Sequence, residues 1–349
     1  MVNNKEFSAS NAVPTTFGFE FQALAGLILI LENLKEVNRF SIEGPNEDVE
    51  LELNNGKYIY AQVKAKETDT LDKSSNLGKL KAGLKTLNED CKDGDAEKLV
   101  YISNTYFPLG TSKKYEALWP YNSTKSKYSF KDINSLLPKS LEQILDSYSD
   151  KNSQFNRELL EIYFYKFLNV EDKYTKYEVF YQEIERYISN INKSHGKYYE
   201  EVFNRWYTLI RQSESSRQDY SKESFLWQLI ELFNDKIDND PFLDYLDLEE
   251  YELNEICQTY FPVIRNIEGS FELSNKVIAK YTEMYRNNEL GGNRSQRKFV
   301  FIDKTWNIFR KEIFLSDDKE DEEIVVKYAL WRIIANKRLI TKVKESGNI

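Results

Sequence analysis

Hydrophobic and polar positions alternate most strictly in the stretch EDVELELNNGKYIYAQVK, from Glu47 to Lys64. Every second residue from Val49 to Leu53 is apolar, and the run from Tyr58 to Lys64 alternates in the same way. This period of two is typical of half-buried β-strands. Asn-Asn-Gly separates the two runs, and Gly56 can take the positive φ that a three-residue hairpin loop needs. The pattern therefore predicts a β-hairpin.

The loop length determines which residues of this hairpin share a face. A three-residue loop pairs Val49 with Ala61, so apolar residues meet apolar residues. It also pairs Asp48 with Gln62, whereas a two-residue turn would mix the two faces. Lys64 lies one diagonal step from Asp48. The resulting polar face, with Asp48, Gln62 and Lys64, is either a reaction site or the solvated face of an ordinary antiparallel strand pair.

The residues before the hairpin predict one long helix, from Phe17 to about Val37. It is apolar on nearly all sides between Ala23 and Leu31, which indicates burial between layers. Glu20 lies on the same stripe as the leucines of this helix. It is either a first-turn residue that complements the helix dipole or a group that points into a site.

Further elements complete an α/β pattern. We expect a strand at Phe40–Gly44, a helix capped by Ser75 with a leucine stripe, a strand at Lys98–Tyr106 and a helix at Ile133–Tyr148, with residues 107–130 irregular. A helix between two strands predicts that the last strand runs parallel to a neighbour. The pattern predicts one domain over residues 1–148.

Helical periodicity dominates the remaining residues, 149–349, and predicts a second, mainly α-helical domain. A strand signal remains at Lys298–Ile302. The expected helices are Phe155–Leu168, Tyr177–Ile191, Tyr198–Arg211, Ser224–Lys236, Leu248–Tyr260, Ser274–Asn287, Lys304–Phe314 and Glu322–Lys344.

Charge changes this picture locally. The net charge of the 349-residue chain is −9, which argues against a generally basic nucleic-acid binder. Residues 57–92, however, hold eight lysines against five carboxylates. Lys79, Lys81 and Lys85 lie off the leucine stripe of their helix, and Lys66 precedes it. These lysines form either a solvated face or a surface that follows a phosphate backbone.

Composition also excludes several kinds of chemistry. The single histidine, His195, is at a predicted helix end, and Cys91 and Cys257 give neither a disulfide framework nor a zinc spacing. No Gly-rich phosphate loop is present. The longest apolar run is shorter than the ~20 residues that span a bilayer, and the N-terminus lacks a basic leader. We expect a cytoplasmic protein without a membrane segment.

The polar hairpin face remains as the candidate site. A carboxylate, an amide and an ammonium together suit metal-assisted phosphodiester hydrolysis. Asp48 would bind a divalent cation through hard oxygen ligands, with the Gln62 amide or the Val63 carbonyl adding another. Lys64 would orient the attacking water and stabilise negative charge in the transition state.

These residues also resemble a known family. Glu20 in GFEFQ, then Glu47-Asp48-Val49-Glu50, then Gln62-Val63-Lys64 resemble the PD-(D/E)xK nuclease fold, over roughly residues 10–145. They are most similar to the DNA endonuclease effectors of bacterial anti-phage systems, which include CBASS effectors and the nuclease subunit of Lamassu-type systems. The resemblance implies a restriction-endonuclease-like domain that cleaves double-stranded DNA with Mg²⁺ or Mn²⁺.

The resemblance also assigns roles to individual residues. It implies that Asp48 is the acidic metal ligand, that Gln62 and Lys64 form the Q-x-K motif, and that Glu20 is the acidic residue of the first helix. Gln62 stands where many members have Glu or Asp. Either Glu20 or Glu50 could restore the missing charge.

The second domain decides which defence system the resemblance implies. A helical domain favours a Lamassu-like subunit, which docks onto an SMC-like ATPase and an accessory subunit that keep it inactive and which could form homo-oligomers when active. Three alternatives remain: a CBASS-type nuclease activated by a cyclic oligonucleotide, a non-catalytic nucleic-acid-binding adaptor, and a structural subunit.

Overall fold

The computed structural model describes residues 12–42, 48–91, 94–119, 123–151, 154–216, 219–260, 263–264, 271–314 and 321–349. The chain divides into two compact units, Met1–Lys222 and Glu223–Ile349. The first unit is built on a mixed β-sheet, and helices make up the regular structure of the second among its described residues. This arrangement confirms the predicted α/β domain followed by a mainly helical region.

The sheet of the first unit has seven strands among the described residues, in the order β5-β6-β4-β3-β2-β1-β7. β3, β4 and β6 are parallel neighbours, and the other pairs are antiparallel. The strands are β1 (Val37–Ile42), β2 (Val49–Leu53), β3 (Tyr58–Lys64), β4 (Ala96–Ser103), β5 (Lys125–Ser129), β6 (Leu160–Tyr165) and β7 (Tyr220–Ser221).

The helices follow in chain order. Those of the first unit are α1 (Ala12–Glu32), α2 (Leu77–Asp90), α3 (Phe130–Ile133), α4 (Lys139–Lys151), α5 (Lys173–Ile191) and α6 (Tyr199–Ser216). From Lys222 onward they are α7 (Lys222–Asn234), α8 (Asp240–Leu246), α9 (Glu250–Thr259), α10 (Phe271–Arg286), α11 (Arg294–Ile313), α12 (Glu322–Ala335) and α13 (Lys337–Gly347). None of the helices in the described ranges has both the length and the apolar character that crossing a membrane requires.

Helices cover both faces of the sheet around the hairpin. α1 packs on the apolar face, where a Cβ on Gly26 would lie 3.4 Å from the Val49 side chain. The other side of α1 contacts α5 and α6, so its apolar segment is buried all round, as its sequence indicates. The leucine stripe of α2, including Leu80 and Leu84, covers the opposite face of the sheet. The hairpin therefore lies between two helical layers.

The predicted hairpin register is confirmed. Val49 pairs with Ala61 and Leu51 with Ile59. Gly56 in the loop has φ of +79°. β4 runs parallel to β3 through the crossover helix α2, also as predicted. The polar face of the hairpin, however, is covered at Gln62, which is only 4% exposed.

Three strands were not predicted: β5, β6 and the two-residue β7. The expected helix Phe155–Leu168 is wrong, since Leu160–Tyr165 forms β6 beside β4. Its sequence, LEIYFY, is rich in the aromatic and β-branched residues that favour strands. Residues 107–130 were expected to be irregular, but Lys125–Ser129 forms β5 at the edge of the sheet. The sheet therefore extends past residue 148 through β6.

Several element boundaries also differ from the expectation. α1 ends at Glu32, and Val37 already belongs to β1. Residues 43 and 44 of the expected strand lie outside the described ranges. Asn76, not Ser75, precedes α2. Lys298–Ile302 lies inside α11, where Asn293 caps the helix by accepting two backbone N–H bonds. The long C-terminal helix is interrupted at Asn336, between α12 and α13.

Candidate active site at the end of strands β3 and β4

Three donors converge on one carboxylate oxygen at the end of the hairpin. Asp48 lies directly before β2, and its Oδ2 accepts a hydrogen bond from the Val63 backbone N–H at 2.7 Å. The same oxygen accepts a hydrogen bond from the Gln62 side-chain amide. The Lys64 ammonium lies 3.4 Å from it. The structure therefore brings together Asp48, Gln62 and Lys64, which the sequence placed on one face.

The Gln62 amide is held in a narrow space below α2. Gln62 is opposite Tyr101 of β4, which is fully buried. A Cβ on Gly83 of α2 would lie 2.8 Å from the Tyr101 ring and 3.2 Å from Cγ of Gln62. Glycine at position 83 therefore lets the helix approach the sheet closely enough to exclude solvent from Gln62.

Of the two carboxylates expected to supplement Asp48, Glu50 is on β2 and only 7% exposed. It pairs with Tyr60 of β3, and its charge helps to raise the pKa of Tyr58, after burial and two other carboxylates. No cluster of three or more His, Cys, Asp or Glu suited to a metal ion occurs within the described parts of the chain. Glu43 and Glu47 lie outside those parts.

Glu20 is occupied by another helix. Its Oε2 accepts a bond from the Lys176 ammonium of α5 at 2.7 Å, and its Oε1 accepts a bond from the Tyr177 hydroxyl. The Glu20 side chain is 15% exposed. Glu20 could therefore point into a site only if it gave up its ion pair with Lys176 of α5.

A network that the sequence did not indicate fixes the chain beyond β3. Asn104, fully buried after β4, accepts the Lys66 backbone N–H at 2.8 Å. Its amide donates to the carbonyls of Lys66 and Phe167, both at 2.9 Å. Asn104 thus connects the segments that follow β3, β4 and β6. The only signal in the sequence was the polar ending of the β4 run, at the carboxyl edge where parallel strands form sites.

Two lysines expected to bind DNA lie beside this network. The Lys66 ammonium is 2.5 Å from Asp72. Lys79 of α2 donates to the Ala65 carbonyl at 2.7 Å. Burial lowers the pKa of Lys79, and the ammonium groups of Lys66 and Lys64 lower it further, against the opposite effect of Asp72. We call Lys64, Lys66 and Lys79 the lysine cluster; their mutual repulsion would be relieved by an anion.

The other two lysines lie further along α2. Lys81 donates to the Ser140 hydroxyl at 2.9 Å, and Lys85 is exposed. Both extend the positive surface from the lysine cluster along the helix. The arrangement can bind a phosphate group next to Asp48 and a polyanion beside it.

A family model named Cap4, dsDNA endonuclease domain, matches residues 13–213. This match spans more than half of the chain and includes β1 to β6 with the hairpin and both flanking helices. The chain belongs to this family. It therefore carries a DNA endonuclease domain, which confirms the enzyme class expected from the sequence.

Two solved Cap4 receptors with SAVED/CARF domains are also similar. The Moraxella osloensis protein is 17% identical, over 61% of this chain and 47% of its own, with a TM-score of 0.35. The Acinetobacter baumannii protein, solved with the cyclic trinucleotide 2'3'3'-cAAA, is 14% identical, over 61% of this chain and 44% of its own, with a TM-score of 0.34. The matched region thus spans less than half of either protein. A comparison with curated proteins found no significant match.

Proposed function

We propose that the chain is a metal-dependent double-stranded DNA endonuclease whose hydrolytic centre is formed by Asp48, Gln62 and Lys64. The observation that carries this proposal is the convergence of the Gln62 amide, the Val63 N–H and the Lys64 ammonium on Oδ2 of Asp48. The order α1-β1-β2-β3-α2-β4 supports a PD-(D/E)xK-like arrangement, with the acidic residue before β2 and the Q-x-K motif at the end of β3.

The donor set fits one divalent cation. Gln62 contacts the Asp48 carboxylate through its Nε2, and rotation of the amide would turn its oxygen, a hard ligand like a carboxylate oxygen, towards a cation. Mg²⁺ is commonly bound by one or two carboxylates and otherwise keeps water, so this small set is sufficient. Asp48 and Gln62 would hold Mg²⁺ or Mn²⁺, with Glu50 or Glu20 as further candidate ligands. When bound, the cation supplies Lewis acidity at the scissile phosphate.

The Lys64 ammonium would act on the phosphate and on the water. Lys64 is the last residue of β3 and pairs with Ser103 of the parallel strand β4. Its side chain is one-third exposed. It can therefore reach a phosphate from solvent while Asp48 keeps it near the site. In this position it would orient the attacking water and stabilise the charge that develops on the phosphoryl oxygens.

The duplex would approach over α2. Lys79 lies near Lys64 and Lys66, and Lys81 and Lys85 continue the positive surface along the helix. Such contacts neutralise backbone phosphates and position the duplex without reading its sequence.

Replacement of Lys64 tests the proposal. Lys64→Ala should lower plasmid cleavage by about 100-fold or more, the usual effect of removing one charge-stabilising donor. Lys57→Ala is the matched control, since Lys57 lies just before the same strand, is half-exposed and pairs with Glu97. It should cleave like the wild type. Equal cleavage by both variants, prepared and purified in parallel, would disprove the assignment.

Metal titration separates the endonuclease from the other functions expected from the fold. An endonuclease should cleave with Mg²⁺ or Mn²⁺ and stop in EDTA. A nucleic-acid-binding adaptor should bind duplex equally in both conditions without turnover, and a structural subunit should do neither.

Two forms of control fit the proposed effector. One is activation by a cyclic oligonucleotide, the kind of molecule with which the Acinetobacter baumannii protein was solved. The other is a Lamassu-like inhibition by partner subunits, including an SMC-like ATPase. The acidic residues 234–272, with eleven carboxylates and two basic residues, support a protein contact. Cleavage assays with and without cyclic oligonucleotides distinguish the two, because only the first predicts activation of the isolated chain.

A further inference from the structure

A cavity of about 420 Å³ lies among α10, α11, α12 and α13 of the second unit. Its size falls within the roughly 300–1,000 Å³ of small-molecule sites in proteins. Five basic side chains line it: Arg294, Arg297, Lys298, Lys337 and Arg338. All of them lie beyond residue 213, where the family match ends. The cavity is therefore separate from the proposed endonuclease centre.

These cations have no acidic partner within the described part of the chain. Among the residues that the structure describes, no carboxylate lies within ion-pair distance of any of the five. Burial lowers the pKa of Lys298, and the charges of Arg294 and Lys337 lower it further. Burial and neighbouring arginines have the same effect on the pKa of Lys337. The cavity thus concentrates positive charge that no carboxylate of the described residues neutralises.

Other basic residues of the same unit are paired. Arg310 binds Glu322 at 2.6 Å, Arg332 lies 3.2 Å from Asp235, and Lys327 lies 2.7 Å from Glu323. The second unit therefore has acidic residues available and places them elsewhere. The absence of such partners around the cavity is consequently a local feature.

Arg297 and Tyr285 add a buried hydrogen-bond donor and an aromatic ring to the cavity. The Nε of Arg297 is buried and has no hydrogen-bond partner among the described residues. A buried donor without a partner is costly, and an anion would satisfy it. The guanidinium lies 5.3 Å from the centre of the Tyr285 ring, which is 51% exposed. Tyr285 thus offers an open aromatic face next to the cations.

We propose that this cavity binds a phosphorylated nucleotide, with its phosphates among Arg294, Lys337 and Arg338 and its base against Tyr285. Arginine side chains bind phosphate oxygens in pairs and stack on flat rings, so both parts of such a ligand find suitable groups. A concave site of this volume suits a small molecule, whereas a duplex would need an extended surface. The proposal does not rest on the endonuclease activity.

Binding to the full-length chain tests this proposal. We expect calorimetric titration to show that ADP binds more tightly than pyrophosphate, which lacks the base, and that adenosine, which lacks phosphate, does not bind. The double variant Arg294→Gln/Arg338→Gln should weaken ADP binding at least tenfold. Both side chains are exposed, so the fold should be retained. Lys311→Gln, at an exposed position near the other end of α11, should bind like the wild type.

A second set of probes identifies the source of the nucleotide. If the natural ligand is a short oligonucleotide, linear or cyclic oligoadenylates should compete with ADP. If ADP binds and neither oligoadenylate competes, the natural ligand is a mononucleotide. Either result supports the site. The proposal is overturned if ADP does not bind, if it binds no more tightly than pyrophosphate, if the double variant binds it normally, or if only duplex DNA binds through Arg294 and Arg338.

Discussion

Gln62 places an uncharged amide against Asp48, where a second carboxylate would bind a cation more strongly. Its Nε2 donates to Oδ2 of Asp48, and the side chain is buried. The amide therefore allows the two side chains to touch without a cation between them. A carboxylate in its place would face Asp48 with no proton to donate.

Gln62→Glu should make the stability of the protein depend on a divalent cation. In EDTA we expect the free energy of unfolding to fall by about 1–3 kcal/mol, because a buried hydrogen bond is replaced by repulsion between two carboxylates. Mg²⁺ should restore it in proportion to RT ln(1 + [Mg²⁺]/Kd). Thermal unfolding with and without Mg²⁺ measures both effects.

Asn55→Asp provides the control for added charge, since Asn55 is exposed in the hairpin loop. Its unfolding temperature should respond to Mg²⁺ as the wild type does. If Gln62→Glu and Asn55→Asp respond alike, Gln62 does not adjoin a cation site.

At the residue scale, features that depend on local alternation could be predicted, and features that depend on contacts distant in the chain could not. The alternation around Asn-Asn-Gly determined the register, and so the shared face of Asp48, Gln62 and Lys64. The burial of Gln62 could not be predicted, because it depends on the close approach of α2 to the sheet at Gly83. The partners of Glu20 were equally inaccessible, since Lys176 is 156 residues away in the chain.

At the scale of elements, the position of α2 controls the site. It covers Gln62, supplies Lys79 to the end of β3 and presents Lys81 and Lys85 to solvent. Two glycines of this helix have different surroundings. Gly83 faces the Tyr101 ring, whereas a Cβ on Gly78 would meet nothing within 4 Å.

Gly83→Ala should therefore destabilise the first unit, by about 1–3 kcal/mol, the typical cost of overpacking. Tyr101 is fully buried and has little room to move away from the new methyl group. Gly78→Ala, in the same helix, should be neutral or stabilise by up to about 1 kcal/mol, because alanine is the better helix former. Urea unfolding of both variants measures the difference. Equal stability would show that α2 does not approach the sheet as closely as Gly83 indicates.

The elements themselves were predictable where a single period dominated. The hairpin, α1 and the crossover α2 follow from periods of 2 and 3.6. β6 did not, since a short run of aromatic and apolar residues suits either a helix or a strand, and only its place beside β4 decides. Glu20 also belongs to this scale: its ion pair with Lys176 joins α1 to α5, which gives it a structural role whether or not it binds a cation.

At the scale of the whole molecule, the distribution of charge matters more than its sum. The chain has a net charge of −9, yet the lysine cluster and α2 form a local positive surface in the first unit. The remaining acidic surface should repel DNA in other orientations, so the duplex should approach over α2. The strength of this effect should depend on salt, because binding releases the cations condensed on the duplex.

Lys81→Gln/Lys85→Gln should weaken duplex binding and make it less sensitive to salt. The slope of log K against log salt concentration should decrease in magnitude by roughly 0.9 for each phosphate contact removed. Cleavage at saturating DNA should remain close to that of the wild type, since neither lysine is part of the proposed hydrolytic centre. Fluorescence anisotropy at several salt concentrations provides the slopes.

The matched control is Lys193→Gln/Lys197→Gln, which removes two exposed lysines between α5 and α6, on the other side of the sheet from α2. An equal change of slope in both double variants would show that the phosphate contacts are not confined to α2.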